Sequence, residues 1–380
     1  MRKFPPIERD LEDRVIELPC PQARALLRAM SRAFAFVLSV GLVSATACGS
    51  SSSSGDGDDG TSDAGSAIPS GADPGSPPSP GPSSTSDGGP PSSSAKIETV
   101  FVIVMENHSW DTIKASDSAK YINDTLVPMG AHAEQYTTPP GNHPSEPNYI
   151  WMEAGDNLGI TTDDDPDKNH KSGDHLTAQL EKAGISWKAY AEDIDGKSCP
   201  LSSKGLYGAK HTPQLFFDDV TGTNDASSQH CIDHVRPYAE LATDLQKGTV
   251  ARYNFITPNL CNDMHGEVGI KCPFVVSDLI KKGDDWLAAE VPKILASQAY
   301  KNDGVLFVMW DEGDESLGSE ASDGPIPFIV LSPRAKKGYA SPTPFTHSSY
   351  LRTIETIFGV PFLRGAQNAK DLSEMFTSFP

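Results

Sequence analysis

Apolar and polar positions fall in blocks along this chain, and the most informative block is 100–109, Val-Phe-Val-Ile-Val-Met-Glu-Asn-His-Ser. Its first five residues favour β structure and four of them are β-branched. An unbroken run of this kind predicts a strand buried on both faces of an α/β sheet. The run stops abruptly at Glu106, Asn107 and His108, which places polar side chains at the carboxyl edge of the sheet, where open α/β folds keep their sites.

Downstream, the two periodicities interleave. The spacing predicts a short helix over 110–114, a helical or loop segment over 121–128, helices over 176–183 and 241–247, a longer amphipathic helix over 286–298 and a last helix over about 348–358. Strands are predicted at 185–191, 251–256, 304–310 and 327–331. This alternation implies one α/β domain whose mostly parallel central sheet carries helices on both faces. No internal repeat and no Gly-rich phosphate loop of the Walker or dinucleotide kind is present in the sequence.

Polar residues gather where the predicted strands end. The strand at 251–256 runs into Thr-Pro-Asn-Leu-Cys-Asn-Asp-Met-His, ending at Asp263 and His265, and the strand at 304–310 runs into Asp311 and Glu312. With Glu106 and Asn107 these acids share one sheet edge, which predicts a single site with several oxygen ligands. Between them lies a Pro- and Gly-rich loop, 137–144, followed by Ser145-Glu146-Pro147-Asn148-Tyr149. Ser145 reads as an N-cap leading into a helix with Pro in its first turn, and a helix amino terminus is also favourable for a phosphate.

Composition cuts the chain unevenly. Residues 49–95 are almost entirely Ser, Gly, Pro, Asp, Ala and Thr, with no Lys, Arg or aromatic residue. Such a segment cannot bury enough apolar surface to offset its ordering entropy, so a disordered tether is expected there. Within 1–48, a basic start at Met30-Ser31-Arg32 precedes an apolar run and the small residues before Cys48. That run is too short to span a bilayer and has the form of a secretory signal, with Met30 a candidate start. It resembles a bacterial lipoprotein signal in which Cys48 would be acylated, a plain cleaved signal being the alternative. The net charge of −20 and a pI near 4.8 argue against nucleic acid and against electrostatic docking on anionic lipid. Four further cysteines, Cys199, Cys231, Cys261 and Cys272, suggest two disulfides in an exported chain, most simply 199–231 and 261–272 among three possible pairings. Their spacing lacks a Cys-x-x-Cys knuckle, which disfavours zinc.

Five ordered motifs, 106–111, 143–149, 258–265, 310–312 and 346–352, resemble the bacterial phosphoesterase family of the alkaline phosphatase superfamily, which holds secreted acid phosphatases and phospholipases C. The segments 185–192 and 210–213 are also similar to its members, and the resemblance spans 96–380 as one catalytic domain. It implies an alkaline-phosphatase-like fold and a metal-bound nucleophile, Ser145, that attacks phosphorus in line to give a phosphoenzyme hydrolysed by water. It implies metal ligation by Glu106, Asn107, Ser145, Asp311 and Glu312, an oxygen set that favours Mg, Mn or Ca without excluding Zn. Asn148 would hold a phosphoryl oxygen. His265, beside Asp263, would act directly in catalysis, while His211, His143 and His347 would neutralise phosphoryl charge or protonate the leaving alcohol.

One departure bears on substrate. The family's larger phospholipases follow Trp-Asp-Glu with an Asp-His pair, whereas here the sequence continues Gly313-Asp314-Glu315-Ser316, and the chain ends soon after its last predicted helix without an appended lipid-binding module. Both points favour a single-metal acid phosphatase acting on phosphomonoesters, inositol phospholipid head groups among them. A phospholipase C is the first alternative, and a non-catalytic metal- or phosphate-binding surface lipoprotein the second.

Overall fold

The computed structural model describes residues 96–266, 272, 278–314 and 323–380. The expectations for a signal region at 1–48, for acylation of Cys48 and for a tether at 49–95 lie outside the described residues, as does the stretch 315–322.

Among the described residues, eight strands form one sheet: β1 (Val100–Met105), β2 (Ala131–Thr137), β3 (Trp187–Ala191), β4 (Val235–Pro237), β5 (Tyr253–Thr257), β6 (Val305–Trp310), β7 (Phe328–Leu331) and β8 (Tyr339–Thr346). Their spatial order is β4-β3-β5-β1-β6-β7-β2-β8. Only β7 runs against its neighbours, pairing antiparallel with β6 and β2, while the other ladders are parallel. The fold is therefore the mostly parallel α/β sheet expected from the sequence.

Five helices cover the sheet or border the site: α1 (Ser145–Ala154), α2 (Leu176–Lys182), α3 (Ala239–Lys247), α4 (Leu279–Ala296) and α5 (His347–Phe358). Alternate side chains of a strand face opposite ways, and all six of β1 are inaccessible to solvent, so both faces of the sheet are covered. Register shows by which helices. Tyr253 and Phe307 pair with Val100 and Val102, so they share one face, and there the Tyr350 ring of α5 lies edge-on to Phe307 and its hydroxyl meets that of Tyr253 at 2.9 Å. Met105 faces the other way, against α4, where a Cβ on Gly283 would come within 2.9 Å of the Met105 methyl.

Most predicted boundaries agree within two residues, with one helix start and three strands as exceptions. The helix expected from 286 begins at Leu279, because Asp278 caps it by accepting from the Lys281 amide at 2.9 Å. Three strands have no counterpart among the predicted elements: β2, whose stretch carries no predicted element, and the edge strands β4, with only three residues, and β8, which holds Pro342 and Pro344, tolerated at an edge but not in a central strand. Of the three pairings open to the cysteines, the structure forms Cys199–Cys231 and Cys261–Cys272, with Cα separations of 5.4 and 5.5 Å. Among the described residues, no helix is long and apolar enough to cross a membrane.

Candidate active site

The centre of the sheet dictates where the chemistry can be. Strand β1 lies between β5 and β6, and its register sets Met105 opposite Trp310, so the chain leaves both strands at the same level. The ladder continues briefly beyond them, with the Asp311 amide donating to the Met105 carbonyl at 3.0 Å and the Glu106 amide to the Asp263 carbonyl at 2.8 Å. Asn107 then turns with a left-handed φ of 48°, and its amide donates to Asp311 Oδ1 at 3.2 Å. Glu106, Asp263, Asp311 and Glu312 all converge here and all are fully buried.

Ser145 joins them from α1. The cap position belongs to Pro144, so Ser145 is the first helical residue and not the N-cap its sequence context suggested. Its Oγ lies 3.0 Å from Glu106 Oε2, 3.0 Å from Glu312 Oε1 and 3.4 Å from Asn107 Oδ1. A hydroxyl has one proton to give, and three oxygens surround it, so the site supplies more acceptors than donors. One turn along α1, Tyr149 donates its hydroxyl to Glu106 Oε1 at 2.5 Å, and Asn148 reaches Glu312 Oε2 at 3.3 Å while donating to the Asn142 carbonyl at 2.7 Å.

The histidines divide by what they touch. His211 stacks on Tyr149 and sits between two carboxylates, Nε2 3.2 Å from Glu106 and Nδ1 3.4 Å from Asp263; burial, with Lys210 and His265 nearby, keeps it neutral. His265 turns Nδ1 to the Gly266 carbonyl at 2.9 Å and meets Lys210 Nζ at 3.4 Å. His143 bridges Glu312 at 2.6 Å and Asp323 at 2.7 Å; the hydrogen bond to Glu312 is the chief reason its pKa is raised to about 9. His347 is wholly buried, with Nε2 on the Asp311 carbonyl at 2.6 Å and Nδ1 on the Tyr136 hydroxyl at 3.0 Å. Burial lowers its pKa to about 4, so it is an uncharged support under Asp311.

The donor set fits a divalent cation. Burial first, then repulsion from Asp311 and Asp263, pushes the Glu106 carboxyl well above its usual range, and burial lifts Asp311 to about 6. Asp311 Oδ2, Asp263 Oδ2 and His211 Nε2 are buried without a hydrogen-bond partner, so donor atoms remain to be satisfied. Donor atoms of Glu106, His211 and His265 lie within 4.8 Å of one another, a group able to hold a metal ion. A bound cation would satisfy these atoms and reverse the pKa shifts.

Every residue expected at the site from the sequence lies in or directly beside this cluster, through the contacts above. Lys210 and Tyr149 are additions that the sequence did not reveal. Burial pulls Lys210 down, but Asp163 and Glu106 more than offset this and keep it a cation. Its position directly before His211 was the signal that could have found it, whereas Tyr149 was hidden as an ordinary core aromatic one helical turn after Ser145.

The relatives place the chain among the phosphoric ester hydrolases. Residues 136–361 match the phosphoesterase family, and the chain belongs to that family. A phosphatidylinositol-3-phosphatase of Mycobacterium tuberculosis is 29% identical over 277 residues, which cover 73% of this chain and 82% of the relative. A phosphate-repressible acid phosphatase of Penicillium chrysogenum is 28% identical over 230 residues, 58% of this chain, and the match spans about half of that protein, 51%. Among solved structures, the lipoteichoic acid synthase LtaP of Listeria monocytogenes superposes with a TM-score of 0.50 at 11% identity, over 73% of this chain and 77% of that one, a likeness of fold alone.

Proposed function

We propose that this chain is an exported, metal-dependent phosphomonoesterase in which Ser145 becomes transiently phosphorylated. The observation that carries the reading is the Ser145 hydroxyl, buried at the start of α1 and held 3.0 Å from both Glu106 and Glu312. A free serine hydroxyl is a poor nucleophile, and two adjacent carboxylates give its proton somewhere to go. Held by Glu106, Asn107, Ser145, Asp311 and Glu312, a hard divalent ion such as Mg, Mn or Ca would make the alkoxide accessible near neutral pH.

The residues then act in sequence. Oγ forms a bond to phosphorus as the bond to the leaving oxygen breaks, and Lys210 offsets phosphoryl charge. His265 supplies a proton to the departing alcohol. Water attacks the phosphoserine, Oγ regains its proton, and inorganic phosphate leaves. Asp263 and Tyr149 hold His211 and Glu106 in place, His143 and Asn148 hold Glu312, and His347 supports the backbone of Asp311.

A cleft of about 530 Å³ opens beside Lys210, lined by Asp163, Lys168, Ser203, Lys204 and Tyr207. Its walls are mainly charged and hydroxylic, which suits a polar leaving group such as a sugar or inositol better than acyl chains. The relative named for phosphatidylinositol 3-phosphate hydrolysis makes a phosphoinositide head group a natural first substrate to try. Two disulfides support an oxidising destination, and acylation of Cys48 would tie the enzyme to the cell envelope. The deciding experiment is Ser145→Ala, assayed for release of phosphate from a phosphomonoester and for a phosphoryl adduct trapped by acid quench. Loss of both is expected; undiminished turnover sinks the mechanism.

A further inference from the structure

A second group of metal-ligating side chains lies at the opposite end of the sheet. Strand β3 begins at Trp187, paired with Tyr253, and runs parallel to β5, so Trp187 marks the amino ends of these strands, remote from Ser145. Around it gather Glu181 from the last turn of α2 and His230 and His234 from a short helix, Gln229–His234. Their donor atoms lie within 4.8 Å of one another, His230 Nε2 being 2.7 Å and His234 Nε2 3.8 Å from the same Glu181 oxygen.

The hydrogen bonds around these rings decide what that oxygen meets. Nδ1 of His230 faces the Asp219 carbonyl at 3.0 Å, and Nδ1 of His234 faces the His230 carbonyl at 2.9 Å. A carbonyl only accepts, so both Nδ1 atoms carry their protons, and in a neutral ring Nε2 then bears the lone pair. Two lone pairs aimed at one carboxylate oxygen repel unless positive charge lies between them. His230 Nε2, in hydrogen-bond contact with that oxygen, either binds a second proton or shares a metal ion with His234 Nε2, which lies 3.8 Å from the same oxygen.

We propose that Glu181, His230 and His234 form a peripheral site for a zinc-class divalent cation. Two imidazoles and a carboxylate are the donor chemistry of zinc, and the three side chains are 28 to 38% exposed, which leaves water to complete the coordination. The supporting contacts resemble those that hold ligands in metal sites. Trp187 donates its indole N–H to Glu181 Oε1 at 2.7 Å and stacks on His234 at 4.5 Å, and Cys231, between the histidines, is pinned by its bridge to Cys199. The ion would clamp the helix Gln229–His234 to α2 without touching the catalytic cluster.

The test uses tag-free full-length protein saturated with magnesium, then exposed to zinc and desalted. Wild type should retain about one more equivalent of zinc than H230A/H234A, and the zinc-induced rise in Tm should be smaller in that variant. Glu181→Gln, which keeps the side-chain shape, guards against a double variant that fails to fold and should weaken zinc binding at least about a hundred-fold. Cobalt in wild type should give the intense visible bands of a low-coordinate site with nitrogen ligands, and H230A/H234A should lack them. Equal zinc retention by wild type and both variants overturns the proposal and leaves an ordinary imidazolium–carboxylate ion pair.

Discussion

Two sets of imidazole and carboxylate groups occupy opposite ends of one sheet, and they differ chiefly in burial. Around Ser145, four carboxylates are sealed from water with donor atoms left unpartnered, whereas Glu181, His230 and His234 keep about a third of their surface in solvent. Burial makes the same atoms reactive, because desolvation raises carboxylate pKa values and strengthens every remaining electrostatic contact. Exposure leaves them able to bind but with little to perturb. Chemistry and fastening can thus be assigned by environment more than by residue type.

The contrast can be broken from the buried end first. Replacing Ser145 by Ala should lower kcat by at least about a thousand-fold, measured on a small phosphomonoester. Asp311→Asn should cost about a hundred-fold or more in turnover yet stabilise the chelated protein. Asp311 titrates near 6 in the fold instead of its ordinary 3.8, so its ionisation penalty is absent below about pH 4 and complete above about pH 6. Chelated Asp311→Asn should therefore melt above chelated wild type at pH 7, with the gap closing at pH 4. Tyr149→Phe, which removes a 2.5 Å hydrogen bond to Glu106, should reduce metal affinity or turnover about ten- to a hundred-fold, read by metal titration of activity.

Smaller effects sharpen the comparison. His143 has a folded pKa of about 9 against an ordinary 6.5, so the stability it contributes is present below pH 6.5 and lost as pH rises through 9. His175, lowered by burial but lifted to about 9 by Asp219 and Glu153, titrates in the same window, so the measurement is the difference in Tm between wild type and His143→Gln across pH 6 to 9.5. At the exposed end, Glu181→Gln should leave kcat unchanged and, without zinc, shift stability by no more than about 0.5 kcal/mol. A large loss of turnover there would erase the distinction between the two ends.

How far these regions could be read from the sequence follows the same division. The central strands β1, β5 and β6 were visible because they are buried on both faces and so contain uninterrupted apolar runs that end in acids. Strand β8 was not, since an edge strand needs neither an apolar run nor a full set of amide donors, and its prolines hid it. Glu106, Asp311 and Ser145 were legible by position after strands or within motifs. Tyr149 was not, because nothing in a sequence distinguishes a core tyrosine from one whose hydroxyl meets a buried carboxylate. The Glu181 group was missed for a related reason: its members come from two segments 49 residues apart, brought together only by packing on β3.

The Cys261–Cys272 bridge closes an 11-residue loop that begins two residues before Asp263 and encloses His265. A chain still in a reducing cytosol would carry two thiols there and lack the covalent tie that fixes this part of the site. Closing the bridge would complete this part of the site only under oxidising conditions.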